Sequence, residues 1–267
     1  MIKLVIANQK GGVAKTTTTM NLARHFAERK LKVLLIDTDS QGSIATALGL
    51  KVTNSLYHFL ITNYRLKDCV VSPHPNIDII CSTRDTIEVE GILTPRPGRE
   101  LIFQVLLGPI EDQYDVVLID VAPSITLLQS CAMMYTQQIL IPLTMDPLSL
   151  QGAFAALQTA RSLNTLFKAS IRPAAILPVM VDRRLQMTDL IFDSLKAISQ
   201  EHEVPILPSI RTDATVPKAT RSKQFLLDYD PKCKAAEDYG AACEELLTHL
   251  KGQLNDKQLT LAVQAQA

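Results

Sequence analysis

Short apolar runs alternate along the chain with longer stretches in which apolar residues recur every three or four positions. The runs at 3–7, 33–36, 77–80, 116–119, 139–142 and 174–179 are strand-length, and several are apolar on both faces. Strands buried on both sides belong to parallel sheets covered by helices. The intervening stretches at 15–29, 98–111, 124–135, 148–167, 186–201 and 235–250 carry helical periodicity. This βαβα rhythm predicts an α/β fold, a doubly wound, mostly parallel sheet with helices on both faces. Residues 83–97, with Pro95 and Pro97, read as an irregular connection. Beyond residue 252 the apolar period fades into Gln and Ala, so 1–251 are expected to form one domain and 252–267 a flexible tail.

Composition removes several classes of function. The 267 residues hold 27 basic and 27 acidic side chains, with 47% hydrophobic and 20% charged residues, a balance suited to a packed core. No apolar run approaches the roughly 18 residues a membrane span requires. The opening MIKLVIANQ lacks the regions of a secretory signal, so a soluble, cytoplasmic protein is expected. Five scattered cysteines form no C-x-x-C pair, and the five histidines show no metal-ligand spacing. Zero net charge gives no bulk attraction to nucleic acid, so such binding would need a local patch.

Candidate chemistry concentrates at three strand ends. The first strand runs into Lys10-Gly11-Gly12-Val13-Ala14-Lys15-Thr16-Thr17 and then a helix. The spacing resembles a phosphate-binding loop, with Ala14 where the usual pattern has glycine. Gly11 and Gly12 let backbone amides wrap an anion, and the helix points its N-terminal amides and positive dipole end at it. In such a loop Lys15 sits on the β- and γ-phosphates and the Thr16 hydroxyl on Mg²⁺. Taken alone, the segment reads equally well as a Gly-Gly turn. Two other strands shift the balance, because they end in Asp37-Thr38-Asp39 and in Asp120. A carboxylate at the end of a buried strand is costly without a cationic partner, and ligands of doubly wound sheets bind at those ends. One such aspartate reads as a helix cap or turn former. Two of them beside a Gly-rich loop favour a nucleotide, with Mg²⁺ and Lys15 as their partners.

These residues resemble the deviant Walker A ATPases, and within them the ParA branch of partition and positioning proteins. KGGVAKTT matches that branch's K-G-G-x-x-K-[ST] box, with Lys10 as the signature lysine. Asp37-Thr38-Asp39-Ser40-Gln41-Gly42 matches D-x-D-P-Q-G except that Ser40 replaces proline, and Asp120-Val121-Ala122-Pro123-Ser124 matches D-x-x-P-S. Ile210-Arg211-Thr212-Asp213, Tyr229-Asp230-Pro231 and Asp238-Tyr239 resemble the C-terminal signature more loosely. The resemblance covers residues 1 to about 250 and implies ATP and Mg²⁺ as cofactors. It places Lys10, Gly11, Gly12, Val13, Ala14, Lys15, Thr16, Thr17, Pro208 and Arg211 on the nucleotide, and Thr16, Asp37 and Asp120 on the metal. It gives catalysis to Lys10, Lys15 and Asp39. Lys10 would reach across an ATP-sandwich homodimer to the partner's phosphates, and Asp39 would position the attacking water. Phosphoryl transfer of this kind is mostly positioning and charge neutralisation.

The same resemblance implies non-specific DNA binding by the ATP-bound dimer. It also implies a ParB-like or cargo-adaptor protein that stimulates hydrolysis, and a nucleoid-associated location. The candidate DNA patch is Arg183, Arg184, Arg211, Lys218, Arg221 and Lys223, although most surface Lys and Arg are simply solvated. The absence of interleaved aromatics fits contact with the phosphate backbone. The alternative is a MinD-like, membrane-associated ATPase of the division site. That branch needs a basic amphipathic C-terminus, and LNDKQLTLAVQAQA offers a single lysine, so no stable membrane anchor is expected. A nucleotide-trapping switch without turnover and a P-loop metabolic kinase are weaker readings, given Lys10, Asp37, Asp39 and Asp120. An iron-protein relative would need bridging cysteines, and Cys131 reads as a core residue.

Overall fold

Seven strands form one sheet: β1 (Ile2–Ile6), β2 (Val33–Asp37), β3 (Val70–His74), β4 (Ile77–Ile80), β5 (Val116–Asp120), β6 (Gln138–Thr144) and β7 (Arg172–Val179). Their order is β3-β4-β2-β5-β1-β6-β7. Every pairing is parallel except β3 with β4. The computed structural model describes residues 1–264, without the side chains of His202 and 253–264.

The apolar runs bury both faces, as expected of central parallel strands. β2 and β5 have no exposed residue. Alternate side chains go to opposite sides of the sheet. Leu4, Ile6, Leu35 and Leu118 pack with Leu22 and Phe26 of the Lys15–Glu28 helix and with Tyr239 and Leu246 of the C-terminal helix. Val5, Leu34, Ile36 and Ile119 join the second core, against the helices Leu127–Thr136, Pro147–Phe167 and Gln186–His202. The helix leaving β1 thus lies on one face and the helix leaving β5 on the other. A crevice opens at the carboxyl ends of β1 and β5, where ligands of such sheets bind.

Four local readings differ from the sequence expectation. β3 was hidden because VVSPH is half-exposed and contains Pro73, which a ladder tolerates at the sheet edge. The stretch 83–97 holds a helix, Thr86–Leu93, because the Pro95 and Pro97 signals act only beyond its end. The single helix expected at 98–111 is broken into a 3₁₀ turn (Arg99–Leu101), a short α-helix (Ile102–Leu107) and a further 3₁₀ segment (Gly108–Gln113). Gly108 and Pro109 sit at the second break, where proline lacks the amide an α-helix needs. The final helix runs from Lys234 to Gln264, past the position where the tail was expected to begin, and residues 265–267 lie outside the described part.

Candidate functional site

The loop after β1 is built around two left-handed residues, Gly12 (φ 75°) and Ala14 (φ 57°). Glycine adopts that conformation freely, whereas alanine does so at a cost of about 1–2 kcal/mol. The turn at Ala14 starts the Lys15–Glu28 helix, whose first bond is the Thr18 amide donating to the Ala14 carbonyl at 2.8 Å. No side chain caps that helix and its first turn holds no acid. Its orphan N–H groups and positive dipole end are therefore left for an anion.

The entry to the loop is strapped to the Pro147–Phe167 helix. Asn8 Nδ2 donates to the carbonyls of Pro142 (2.9 Å) and Ser149 (3.1 Å), and its Oδ1 accepts the Lys10 amide at 3.0 Å. The Gln9 amide donates to the Gly152 carbonyl at 3.1 Å, and Gln9 Nε2 reaches Thr159 Oγ1 at 3.0 Å. A Cβ on Gly152 would collide with Asn8 and with the Lys10 amide, so this close approach requires glycine.

The two lysines diverge. Lys15 Nζ turns inward and donates to the carbonyls of Asn8 (3.0 Å) and Lys10 (2.9 Å). Burial lowers its pKa, against the opposing charges of Asp120 and Asp39. Lys10 Nζ turns the other way and donates to both oxygens of Asp146, each at 2.8 Å.

Asp37 and Asp120 end neighbouring strands in direct register, and both are fully buried. Asp37 accepts the amides of Asp39 (3.0 Å) and Ile44 (3.2 Å). Asp120 accepts the Thr16 hydroxyl at 2.6 Å and that of Thr19 at 3.4 Å. The nearest polar partner of Asp120 is thus Thr16, and no direct ion pair joins it to Lys15. Burial drives the Asp37 carboxyl well above its ordinary range, and the Asp120 charge adds to that. Burial likewise raises Asp120 to about 7, against the Thr16 hydrogen bond and the Lys15 charge. Two acids held out of water beside a hydroxyl make an all-oxygen donor set of the kind that suits Mg²⁺ held jointly with phosphates. Among the described residues no cluster of three or more His, Cys, Asp or Glu side chains could hold a metal without such help.

Asp39 lies outside this buried pair and is half-exposed; its Oδ1 accepts the Gln41 amide at 3.0 Å. It lines a cavity of about 380 Å³ between the Thr38–Gln41 and Ala122–Thr126 segments, with Thr86, Ile87, Glu90 and Leu128. Gly42 (φ 60°) closes the turn, and a Cβ there would lie 2.9 Å from the Ser82 carbonyl.

A second, apolar cavity of about 510 Å³ adjoins the loop at Gly12, Ala14 and Thr17, and is walled by Met180, Ile210, Val216, Pro217 and Tyr239. Arg211 also lines it, whereas Pro208 does not. The Arg211 guanidinium grips Asp238 through Nε (2.8 Å) and Nη2 (2.7 Å), and its backbone amide adds a third bond at 2.9 Å. This clamp ties the cavity wall to the C-terminal helix, and Tyr239 Oη lies 3.2 Å from Thr18 Oγ1 on the loop's own helix.

The basic residues divide into three locations. Arg183, Arg184 and Arg211 share an open groove with Lys234, which the sequence pattern did not single out. Within it Arg184 pairs with Asp182 at 2.6 Å, and Arg183 lies 5.5 Å over the Phe192 ring. Lys218 and Arg221 ride on the short Thr215–Arg221 helix. Lys223 folds its stem over Gly49. Asn8 and Asp146 also escaped the sequence reading. Asp146-Pro147 was readable as a helix start, with the Asp146 carboxylate capping the Ser149 amide at 3.0 Å, but nothing local links it to Lys10.

Residues 1–172 match the AAA domain family. A Pseudomonas putida protein is 30% identical over 265 residues, with 96% of this chain and 98% of that protein covered. The chromosome partitioning protein ParA of Myxococcus xanthus is 29% identical, with 91% and 87% covered. The chain belongs to this family as a ParA-type ATPase. The sporulation initiation inhibitor protein Soj of Bacillus subtilis is a further ParA-type relative, 28% identical over 88% of this chain and 94% of its own. Among solved structures, cobyrinic acid a,c-diamide synthase from Mycobacterium smegmatis with bound ADP and magnesium superposes with a TM-score of 0.79. It is 27% identical, with 94% of this chain and 96% of that one covered. A variant of Cyanothece McdA in complex with ATP shares the fold at TM-score 0.82 and 21% identity, with 94% and 96% covered.

Proposed function

We propose that this chain is an ATP-driven partition or positioning protein. It dimerises on ATP, binds DNA without sequence preference and is stimulated by a partner protein to hydrolyse its nucleotide. The observation that carries the reading is the uncapped, left-handed loop at Gly12–Ala14 beside two fully buried strand-end carboxylates. The loop amides and Lys15 would take the phosphates. The Lys15 ammonium is engaged by two carbonyls, bonds that an incoming polyphosphate outcompetes through charge. Thr16, backed by Asp37 and Asp120, would hold Mg²⁺, which supplies charge neutralisation on the phosphoryl oxygens. The apolar cavity beside the loop has the size and character for a nucleobase.

In this reading Asp39 orients a water on the γ-phosphate while the loop amides and Lys15 carry the developing charge. Lys10 serves the phosphates of a second copy, so turnover is slow in the single chain and tied to association. The groove of Arg183, Arg184 and Lys234, with Lys218 and Arg221, meets DNA phosphates, and pairing two chains doubles it. The protein acts in the cytoplasm on nucleoid DNA, and its cargo, DNA or a protein assembly, is set by the adaptor. ATP-dependent self-association and DNA retention in sedimentation test this together. Retention that falls steeply with salt and requires ATP supports the reading, and nucleotide-independent or salt-insensitive retention refutes it.

A further inference from the structure

Lys10 has a competing anion built into its own chain. Both oxygens of Asp146 lie 2.8 Å from Lys10 Nζ. The same carboxylate accepts Thr144 Oγ1 at 2.6 Å and caps the Ser149 amide at 3.0 Å. Those local bonds fix the carboxylate in place, because three donors making four hydrogen bonds occupy nearly all of its acceptor sites. Burial would raise Asp146, yet Lys10, Thr144 and the Ser149 amide outweigh it and hold the group below the usual carboxylate range. The backbone of Lys10 is fixed as well, through Asn8 and the neighbouring Gln9–Gly152 bond. Between these anchors the lysine stem is the flexible part.

Direction matters as much as distance. The sheet runs β2-β5-β1-β6, so Asp37 and Asp120 lie to one side of the loop and Asp146, after β6, lies to the other. The bridge draws the Lys10 ammonium away from its own metal-side carboxylates and over β6. Each side chain of the pair keeps about a third of its surface in water, 31% for Lys10 and 35% for Asp146. Such a bridge is weak enough for a polyphosphate to displace.

We propose that Asp146 is a positioning residue that latches Lys10 in cis, so that the lysine is released only to the phosphates of a second, nucleotide-loaded copy. This rests on the assignment of Lys10 to the partner's phosphates made above. The latch sets a threshold: association must break the Lys10–Asp146 bridge before it gains the Lys10–phosphate one.

The test uses Asp146→Asn in the full chain. Asparagine caps helices as well as aspartate does, so the Pro147–Phe167 helix keeps its start while the charge is lost. Acylation of each lysine by an amine-reactive ester, read by mass spectrometry without nucleotide, should rise about threefold or more at Lys10 and stay unchanged at other lysines. That size follows from the modest strength of a half-exposed pair. In sedimentation with ATP and Mg²⁺, Asp146→Asn should associate at about threefold lower protein concentration. The gain should vanish in a Lys10→Gln background, while the ADP affinity of Asp146→Asn itself stays that of the unaltered chain. Unchanged Lys10 reactivity, or weaker association in Asp146→Asn, overturns the latch. If the unaltered chain does not associate with ATP, the trans role of Lys10 fails, and the reactivity measurement still decides whether Asp146 holds it.

Discussion

The two charged regions of this molecule are governed by opposite physics. At the carboxyl ends of β2 and β5, Asp37 and Asp120 are sealed from water and meet only hydrogen-bond donors. In the groove beyond β7, arginines are exposed, and two of the three are neutralised by their own neighbours, Arg184 by Asp182 and Arg211 by Asp238. In the first region each charge is costly to hold and changes the behaviour of the whole crevice. In the second, formal charge overstates what is available to a partner, because water and internal pairs absorb most of it. Counting charges along the sequence describes neither region well; burial and pairing decide what each charge does.

The sharpest way to break the contrast is within the crevice. Asp39→Ala should leave ATP binding intact while turnover falls by about 100-fold or more, the usual scale for losing a group that positions a reacting proton. Nucleotide binding by fluorescence alongside phosphate release separates the two effects, and unchanged turnover removes Asp39 from the chemistry. Lys15→Ala should weaken ATP by about 10-fold or more through loss of a charge-assisted contact, read by titration calorimetry.

The groove should respond more mildly, and its best probes are not its arginines. Replacing Arg211 would also break the Asp238 clamp on the cavity wall, so loss of DNA and loss of nucleotide would be confounded. Lys218→Glu and Arg221→Glu, both on the neighbouring Thr215–Arg221 helix, avoid that clamp, whereas Lys234 lends its carbonyl to Arg211. Each substitution should lower DNA retention several-fold and reduce its salt dependence by about one phosphate contact, with ATP affinity unchanged.

Acid titration tests the crevice from another side. The Asp120 pKa is about 7 when folded, above the ordinary value of 3.8, so between those values the folded chain holds the extra proton. Stability of the nucleotide-free chain from this group is therefore greatest at low pH and falls as pH rises toward 7. His25 works in the opposite sense, since burial, with the charges of Arg29 and Arg24, lowers it to about 4, and it favours unfolding as pH drops below about 6.5. Denaturant melts of the chain and of Asp120→Asn, taken from pH 5 to 8, should give a difference that narrows toward the acid end. The smallest effect lies in the loop itself. Ala14→Gly should stabilise the chain by up to about 1 kcal/mol by removing a left-handed alanine, part of which is lost to the greater freedom of glycine when unfolded.

What could be read in the sequence was whatever is local. Lys15, Thr16, Asp37 and Asp120 announced themselves because a strand, its terminal residue and the next turn are contiguous. The parallel sheet followed from runs apolar on both faces. The rest was hidden where structure depends on distant neighbours. β3 exists because β4 offers it an edge. Lys10 and Asp146 are 136 residues apart in sequence and meet only because β1 and β6 lie side by side. Arg211 looked like a nucleotide or DNA contact, and its tie to Asp238 depends on where the final helix docks. Lys223 reads as part of a basic patch, and what the pattern could not show is that its stem lies over Gly49 while the residue stays exposed.

The straps that join Asn8 and Gln9 to the Pro147–Phe167 helix carry a mechanical consequence. That helix has 21 residues, a rod about 30 Å long. One end is bolted to the loop through backbone and amide bonds, and the other ends at Leu166 and Phe167, both exposed. Between those ends Ala153, Ala156, Ala160 and Leu163 are buried in the second core, and Asn164 exchanges two hydrogen bonds with Ile171. The entry of the phosphate loop is thus moored to a fully packed element, and it cannot shift without disturbing that side of the core.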